Sequence, residues 1–122
     1  MIYGIGTDII EVKRIAKSIA QYNKKFLDRI FTSKEQEYCL KHKDSERHFA
    51  GRFAAKEAVV KAFGTGFIDG ISWHDIEIIN DIKGKPTVSL SSKFADFNIK
   101  NIHLSISHCD EYATAFAVYE TQ

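Results

Sequence analysis

A few side chains hold most of the chemistry this sequence could perform. Asp8 closes the apolar run IYGIGTDII. Its ordinary role would be to cap the segment that follows. A carboxylate at a strand end is also a common metal ligand. Glu57 and Lys61 sit one helical turn apart in SERHFAGRFAAKEAVVKAF. On an exposed helix they would simply pair. Here they stand among Phe53, Ala54 and Val60, and buried charges must be paired or coordinated. Two carboxylates from separate elements are what magnesium takes when phosphate oxygens and water complete its octahedron. Gly64-Thr65-Gly66 follows. It is a helix stop in the ordinary reading, and a set of backbone N–H groups open to phosphate in the functional one. Lys61 would add positive charge. His108 ends a run with Ser105 and Ser107 on its face, a polar cluster suited to a ligand. Gly84-Lys85-Pro86 reads, taken alone, only as a turn.

A second group of residues could bind rather than react. Arg14, Lys17, Lys24, Lys25 and Arg29 surround Phe26, and Asp28 is the only acid between residues 12 and 29. Such a run is usually a solvated face. The apolar residues among the bases give it the form of a docking surface with a charged rim. No nucleic-acid motif accompanies it.

These residues need elements to hold them. Residues 2–10 read as a buried strand whose backbone comes close to something at Gly4 and Gly6. Glu11 to about Lys25 has helical spacing through Val12, Ile15, Ile19 and Tyr22. Thr32-Ser33-Lys34-Glu35 is a capping signal for a helix to about Lys41. The helix from Ser45 to Phe63 is apolar nearly all round, so it is buried on most sides. The second half holds a hairpin of strands 76–80 and 87–90 around Gly84, a short helix over 91–97, and strands 102–108 and 112–119. Helices and hairpins alternate without regular βαβ units. The expected class is α+β: one small domain over 1–122, with an antiparallel sheet and a long buried helix.

Composition narrows the classes. The chain has 122 residues, 44% hydrophobic and 27% charged, which excludes disorder as the main state. No apolar run is long enough to span a bilayer, and the N-terminus reads as a strand rather than a leader. Cys39 and Cys109 fit neither a disulfide framework nor a zinc site, so free thiols in a reducing cytoplasm are expected. The net charge of +1 conceals an asymmetry. Residues 1–61 hold 13 Lys and Arg against 8 Asp and Glu, and residues 62–122 hold 4 against 8. A basic face meeting something acidic is the expectation.

Together these segments closely resemble the holo-[acyl-carrier-protein] synthases, the small bacterial family of 4'-phosphopantetheinyl transferases. The resemblance spans essentially the whole chain. It rests on GIGTDIIEVKRI, RIFTSKE, FAGRFAAKEAVVKAFGTG, DIEIINDIKGKP and HLSISHCDEYATAFAV. It implies the fold of that family, and transfer of 4'-phosphopantetheine from coenzyme A to a serine of apo acyl carrier protein, in support of fatty acid biosynthesis. By the resemblance, Asp8 and Glu57 match the magnesium ligands and Lys61 a contact to the phosphates of coenzyme A. Arg52, Gly64, Pro86 and His108 match positions lining the coenzyme A site. Arg14 and the basic residues after it match the surface that docks the acidic carrier. The family forms homotrimers with active sites between subunits, and neither nucleic acid nor membrane is an expected partner.

Phosphoryl transfer asks mainly for positioning and charge neutralisation, which agrees with the residues themselves. Glu57, Asp8 through a bound water, or His108 could each assist loss of the serine proton. Two rival classes stand beside this one. An acyltransferase using coenzyme A would need no metal. A nucleic-acid-binding domain would explain the basic helix and leave Asp8, Glu57 and Lys61 without a role.

Overall fold

A computed structural model describes residues 1–64, 66, 67 and 70–122. Thr65, part of the expected phosphate loop, lies outside the described residues. Strand β1 (Ile2–Glu11) leads into helices α1 (Val12–Tyr22), α2 (Lys24–Ile30), α3 (Ser33–Leu40) and α4 (Ser45–Phe63). A hairpin of β2 (Ile76–Asn80) and β3 (Pro86–Leu90) follows, then the long strands β4 (Ile99–His108) and β5 (Tyr112–Thr121). Strands β1, β5 and β4 form one antiparallel sheet in that order, and β2–β3 form a second, two-stranded one. The expected α+β class, with an antiparallel sheet against a long buried helix, is what the chain adopts. Among the described residues no helix is long and apolar enough to cross a membrane.

Helix α4 lies across the larger sheet, and twelve of its nineteen residues are buried. Its cover comes from within the chain: β1, β4 and β5 on one side, α1, α3 and β2 on the others. An apolar circumference therefore needs no second copy to explain it. The tightest contact is with β1. A methyl group at Gly4 would overlap the carbonyl oxygen of Ala62, and one at Gly6 that of Ala58. These are the close approaches expected from the two glycines, and helix backbone is what they meet.

Two expectations about helices need correction. The spacing from Glu11 to Lys25 suggested one helix, but the chain bends at Asn23, which has φ 52°. Asparagine tolerates positive φ better than most residues, and α2 starts afresh beyond it. Residues 91–97 hold only a single 3-10 turn at Ser92–Phe94. The Thr32 cap does form. Its hydroxyl accepts from Glu35 N at 3.3 Å, and Glu35 Oε1 accepts from Thr32 N at 2.8 Å.

Glu35 has a further role that pattern alone does not reveal. Its carboxylate is 2.7 Å from Lys56 Nζ, with both side chains fully buried. Its Oε2 also accepts from Ile78 N at 2.7 Å. Lys56 donates to the carbonyls of Ile30 and Trp73 at 2.9 and 3.0 Å. Burial lowers the Lys56 pKa, and Glu35 pulls it back up. One buried pair thus ties α2, α3, α4 and β2 together.

Among the described residues, nothing covers the outer face of the larger sheet. Ile5 and Ile9 of β1 and Phe116 of β5 are exposed there, with Thr7 and Phe116 paired across the strands.

Gly6→Ala is expected to cost about 3 kcal/mol, since neither backbone can yield easily. Gly84→Ala, at φ 85° with nothing within 4 Å, is expected to cost about 1–2 kcal/mol from conformation alone. Urea unfolding of both variants checks the order, and equal losses would contradict the close packing.

Candidate functional site

Asp8 is not a helix cap. Strand β1 continues through it to Glu11, and Asp8 pairs with Ala115. Its alternation places it on the face toward α4, together with Gly6. There it meets Lys61, whose Nζ lies 3.1 Å from Asp8 Oδ1 and 3.0 Å from the Thr7 carbonyl. Lys61 is thus paired to the strand, not to Glu57, and its side chain is half exposed. Glu57 is half-buried. Burial first, and the Asp8 charge second, raise its pKa, while Lys61 lowers it. Two carboxylates and one ammonium therefore share a small volume where the edge of β1 meets α4. Gly64 stops the helix just beyond, at φ 80°, with its N–H on the Lys61 carbonyl.

Among the described residues no three metal-ligating side chains gather in one place. A pair of half-buried hard oxygen donors suits a magnesium ion that keeps water and phosphate oxygens as its other ligands. It lacks the histidine and cysteine donors on which most zinc sites are built.

The remaining expected residues meet elsewhere. Arg52, Pro86 and His108 line a cleft of about 180 Å³ with Tyr38, His48 and Asn80. Arg52 is only 4% exposed. Its guanidinium lies 4.0 Å over the Tyr38 ring and donates to Asn80 Oδ1. Its Nε is buried without a partner, and among the described residues no carboxylate pairs with it. Asn80 is held in turn by donating to the Gly84 carbonyl at 2.7 Å. A buried cation without its counter-charge is costly unless an anion comes to it, so this cleft is built to receive one. Gly51 keeps it open, because a side chain there would press on Ile106.

The two clusters lie on different flanks of α4. Glu57 and Lys61 follow Arg52 by five and nine residues, about 140° and 180° around the helix at 3.6 residues per turn. One cluster adjoins β1 and the other β4, the two edges of the same sheet.

The six basic-face residues divide. Lys25, Phe26 and Arg29 border a hollow of about 640 Å³ with Ser18 and Tyr22. Phe26 is half-buried with its ring edge-on to Phe31. Lys24 is turned to Asp28 at 2.9 Å. Arg14 and Lys17 are exposed on α1, outside the hollow's lining.

A sequence model of the 4'-phosphopantetheinyl transferase superfamily matches residues 4–117. The chain belongs to this superfamily. A holo-[acyl-carrier-protein] synthase from Protochlamydia amoebophila is 57% identical over 122 residues, covering 99% of this chain and 100% of the relative. The crystal structure of holo-[acyl-carrier-protein] synthase from Neisseria meningitidis superposes with TM-score 0.91 at 36% identity, covering 99% of this chain and 100% of that one. That of a Bacillus anthracis holo-(acyl-carrier-protein) synthase, in complex with CoA (3',5'-ADP), gives TM-score 0.86 at 44% identity, covering 100% and 99%. The protein is an enzyme of the transferase class, a 4'-phosphopantetheinyl transferase. The resemblance read from its motifs was correct.

Several lining residues of this transferase's cleft escaped sequence reading. Tyr38 and His48 come from elements that looked structural, and Asn80 from the hairpin. A lone asparagine at a strand end gives no signal of its own. Arg52→Met is expected to leave folding stability within about 1 kcal/mol or to raise it, because it removes an uncompensated buried charge. A loss above about 3 kcal/mol in urea unfolding would show that the charge is neutralised inside the chain.

Proposed function

We propose that the chain transfers the 4'-phosphopantetheine group of coenzyme A to a serine of an apo acyl carrier protein, with magnesium held by Asp8 and Glu57. The gathering of Asp8, Glu57 and Lys61 at one strand edge carries this reading. The serine oxygen bonds to the phosphorus bearing pantetheine. The bond from that phosphorus to the bridging oxygen breaks, and adenosine 3',5'-bisphosphate leaves. Magnesium, when bound, neutralises charge on the diphosphate and the leaving group. Lys61, already beside Asp8, adds a second positive charge. The serine proton passes to a base, for which Glu57, Asp8 through a bound water, and His108 are the candidates. Arg52 and His108, with Pro86 on the hairpin, hold the nucleotide end in their cleft. Gly64 leaves room for the phosphates past the helix end.

The assembly we favour is a homotrimer with active sites between subunits. Two observations support it. Ile5, Ile9 and Phe116 leave an apolar sheet face uncovered. The two clusters stand on different flanks of α4, an arrangement that suits a substrate lying across a junction between copies. The enzyme would act in the cytoplasm and supply fatty acid biosynthesis with holo carrier.

The carrier would dock on α1 and α2. Opposite charge steers the encounter, and the hollow at Phe26 gives an apolar centre.

Incubating the enzyme with apo carrier and coenzyme A, and weighing the carrier, tests the reaction. Asp8→Ala or Glu57→Ala should remove most activity with the fold intact. A chelator should do the same, with recovery on adding magnesium. Full activity in chelator would reject the metal. Light scattering should give three copies of the 13.9 kDa chain, and an active monomer would reject the trimer.

Arg29→Glu should raise the carrier KM more than Arg14→Glu does, because Arg29 borders the hollow. Added salt should raise carrier KM more than coenzyme A KM, since exposed charges are screened within about 8–10 Å at physiological ionic strength. A carrier KM indifferent to both would leave this as a merely solvated face.

A further inference from the structure

Three histidines stand in a row beside Arg52, and the reaction as proposed uses only one of them. His42, in the loop after α3, stacks on His48 of α4 with 3.8 Å between ring centroids and 29° between planes. His48 meets His108 at the end of β4 edge to face, at 5.2 Å. Tyr38 lies 5.0 Å from His42 and directly under the Arg52 guanidinium. His42 Nδ1 donates to the Tyr38 carbonyl at 3.1 Å. Its proton is therefore placed there, and Nε2 is the nitrogen left to accept another.

The surrounding charges are few and nearly balanced. Asp44 lies 3.4 Å from His48 Nε2 and also pairs with Arg47 at 3.6 Å. Arg47 reaches Asp110 as well. The two carboxylates thus serve Arg47 and one edge of His48, and among the described residues no carboxylate pairs with Arg52 at the cleft. In that setting His48 and His108 favour their neutral forms. Burial and the neighbouring His42 lower the His48 pKa, with Asp44 opposing. Burial and Arg47 lower that of His108. Stacked imidazoles at this spacing also resist a second charge.

A phosphate reverses the balance. It adds up to two negative charges where Arg52 supplies only one positive one. We propose that His48 and His108, on the lining of the nucleotide cleft, and His42, stacked on His48, form a proton-accepting row, so that a phosphate group entering beside Arg52 draws a proton from solvent onto it. The proton bonds to an imidazole nitrogen and returns to solvent when the nucleotide leaves. No covalent bond of the substrate changes. Binding of coenzyme A and of adenosine 3',5'-bisphosphate then tightens as pH falls, because the complex holds more protons than the free protein. The phosphate's own ionisation acts in the opposite sense, since a nearby cation drives its proton off. Above its second pKa of about 6 that contribution is small.

The proposal rests on the reading that a phosphorylated nucleotide occupies this cleft, and one experiment separates the two. Adenosine 3',5'-bisphosphate is titrated into the protein by calorimetry at pH 7.5, in two buffers of different ionisation enthalpy. Net proton uptake is expected, with affinity rising about two- to tenfold per pH unit on lowering the pH from 8 to 7. His42→Asn combined with His48→Gln should still bind but lose at least about half of that uptake. Histidine proton NMR of the unaltered protein gives a readout that needs no variant: His48 and His108 should titrate at higher pH with ligand than without. Binding with no proton uptake and unmoved histidine titrations would overturn the proposal while leaving the nucleotide cleft standing. Failure of the nucleotide to bind at any pH would overturn both.

Discussion

The contact between β1 and α4 is the constraint on which the rest of the molecule depends. Strand and helix backbones meet where Gly4 and Gly6 carry no side chains, against the carbonyls of Ala62 and Ala58. Any larger residue would push the strand outward by the width of a methyl group. Asp8 is two residues further along the same strand, on the same face. Its distance to Lys61, and its electrostatic influence on Glu57, are set by this approach. Small residues in a strand usually weaken it. Here they bring acid and base within reach of one phosphate-sized volume.

The other cluster depends on a different device. Tyr38, Asn80 and Arg52 come from α3, β2 and α4, three elements with no backbone pairing to one another. The Glu35–Lys56 pair joins these same elements, with Glu35 on α3 holding both Lys56 of α4 and the backbone of Ile78 in β2. Buried ion pairs contribute little net stability. What this one contributes is register among pieces that hydrophobic packing alone would hold only loosely. The cleft is thus framed by an ion pair that is itself satisfied, while the buried Nε of Arg52 is left without a hydrogen-bond partner.

Much of this was legible in the residues. The all-round apolar character of α4 announced its burial, the capping box marked the start of α3, and the Gly-x-Gly of β1 announced a close approach. The motifs together pointed to the family. What pattern could not reveal was which charge on α4 faces which neighbour. Lys56 and Lys61 are five residues apart on one helix, and periodicity alone made Lys61 the buried one. Tertiary contacts reverse that: Lys56 is sealed against Glu35, while Lys61 reaches out to β1. The break at Asn23 was equally hidden, because asparagine permits a positive φ without requiring it. The histidine row was out of reach for another reason. His42, His48 and His108 belong to three separate segments, and no spacing in sequence connects a loop, a helix and a strand end.

The two cysteines give the molecule an unplanned asymmetry in thiol chemistry. Cys39 is sealed in the core under Phe31 and Phe49, and burial pushes its pKa up to about 12. Its thiolate is negligible at neutral pH, and an alkylating reagent has no path to it. Cys109 is exposed and directly follows His108. A maleimide dye or a nitroxide would therefore attach at a single point beside His108, in a hollow it shares with Tyr112 and Thr114, with no cysteine needing removal first. The native chain thus supplies its own spectroscopic handle, one residue from a histidine that lines the Arg52 cleft.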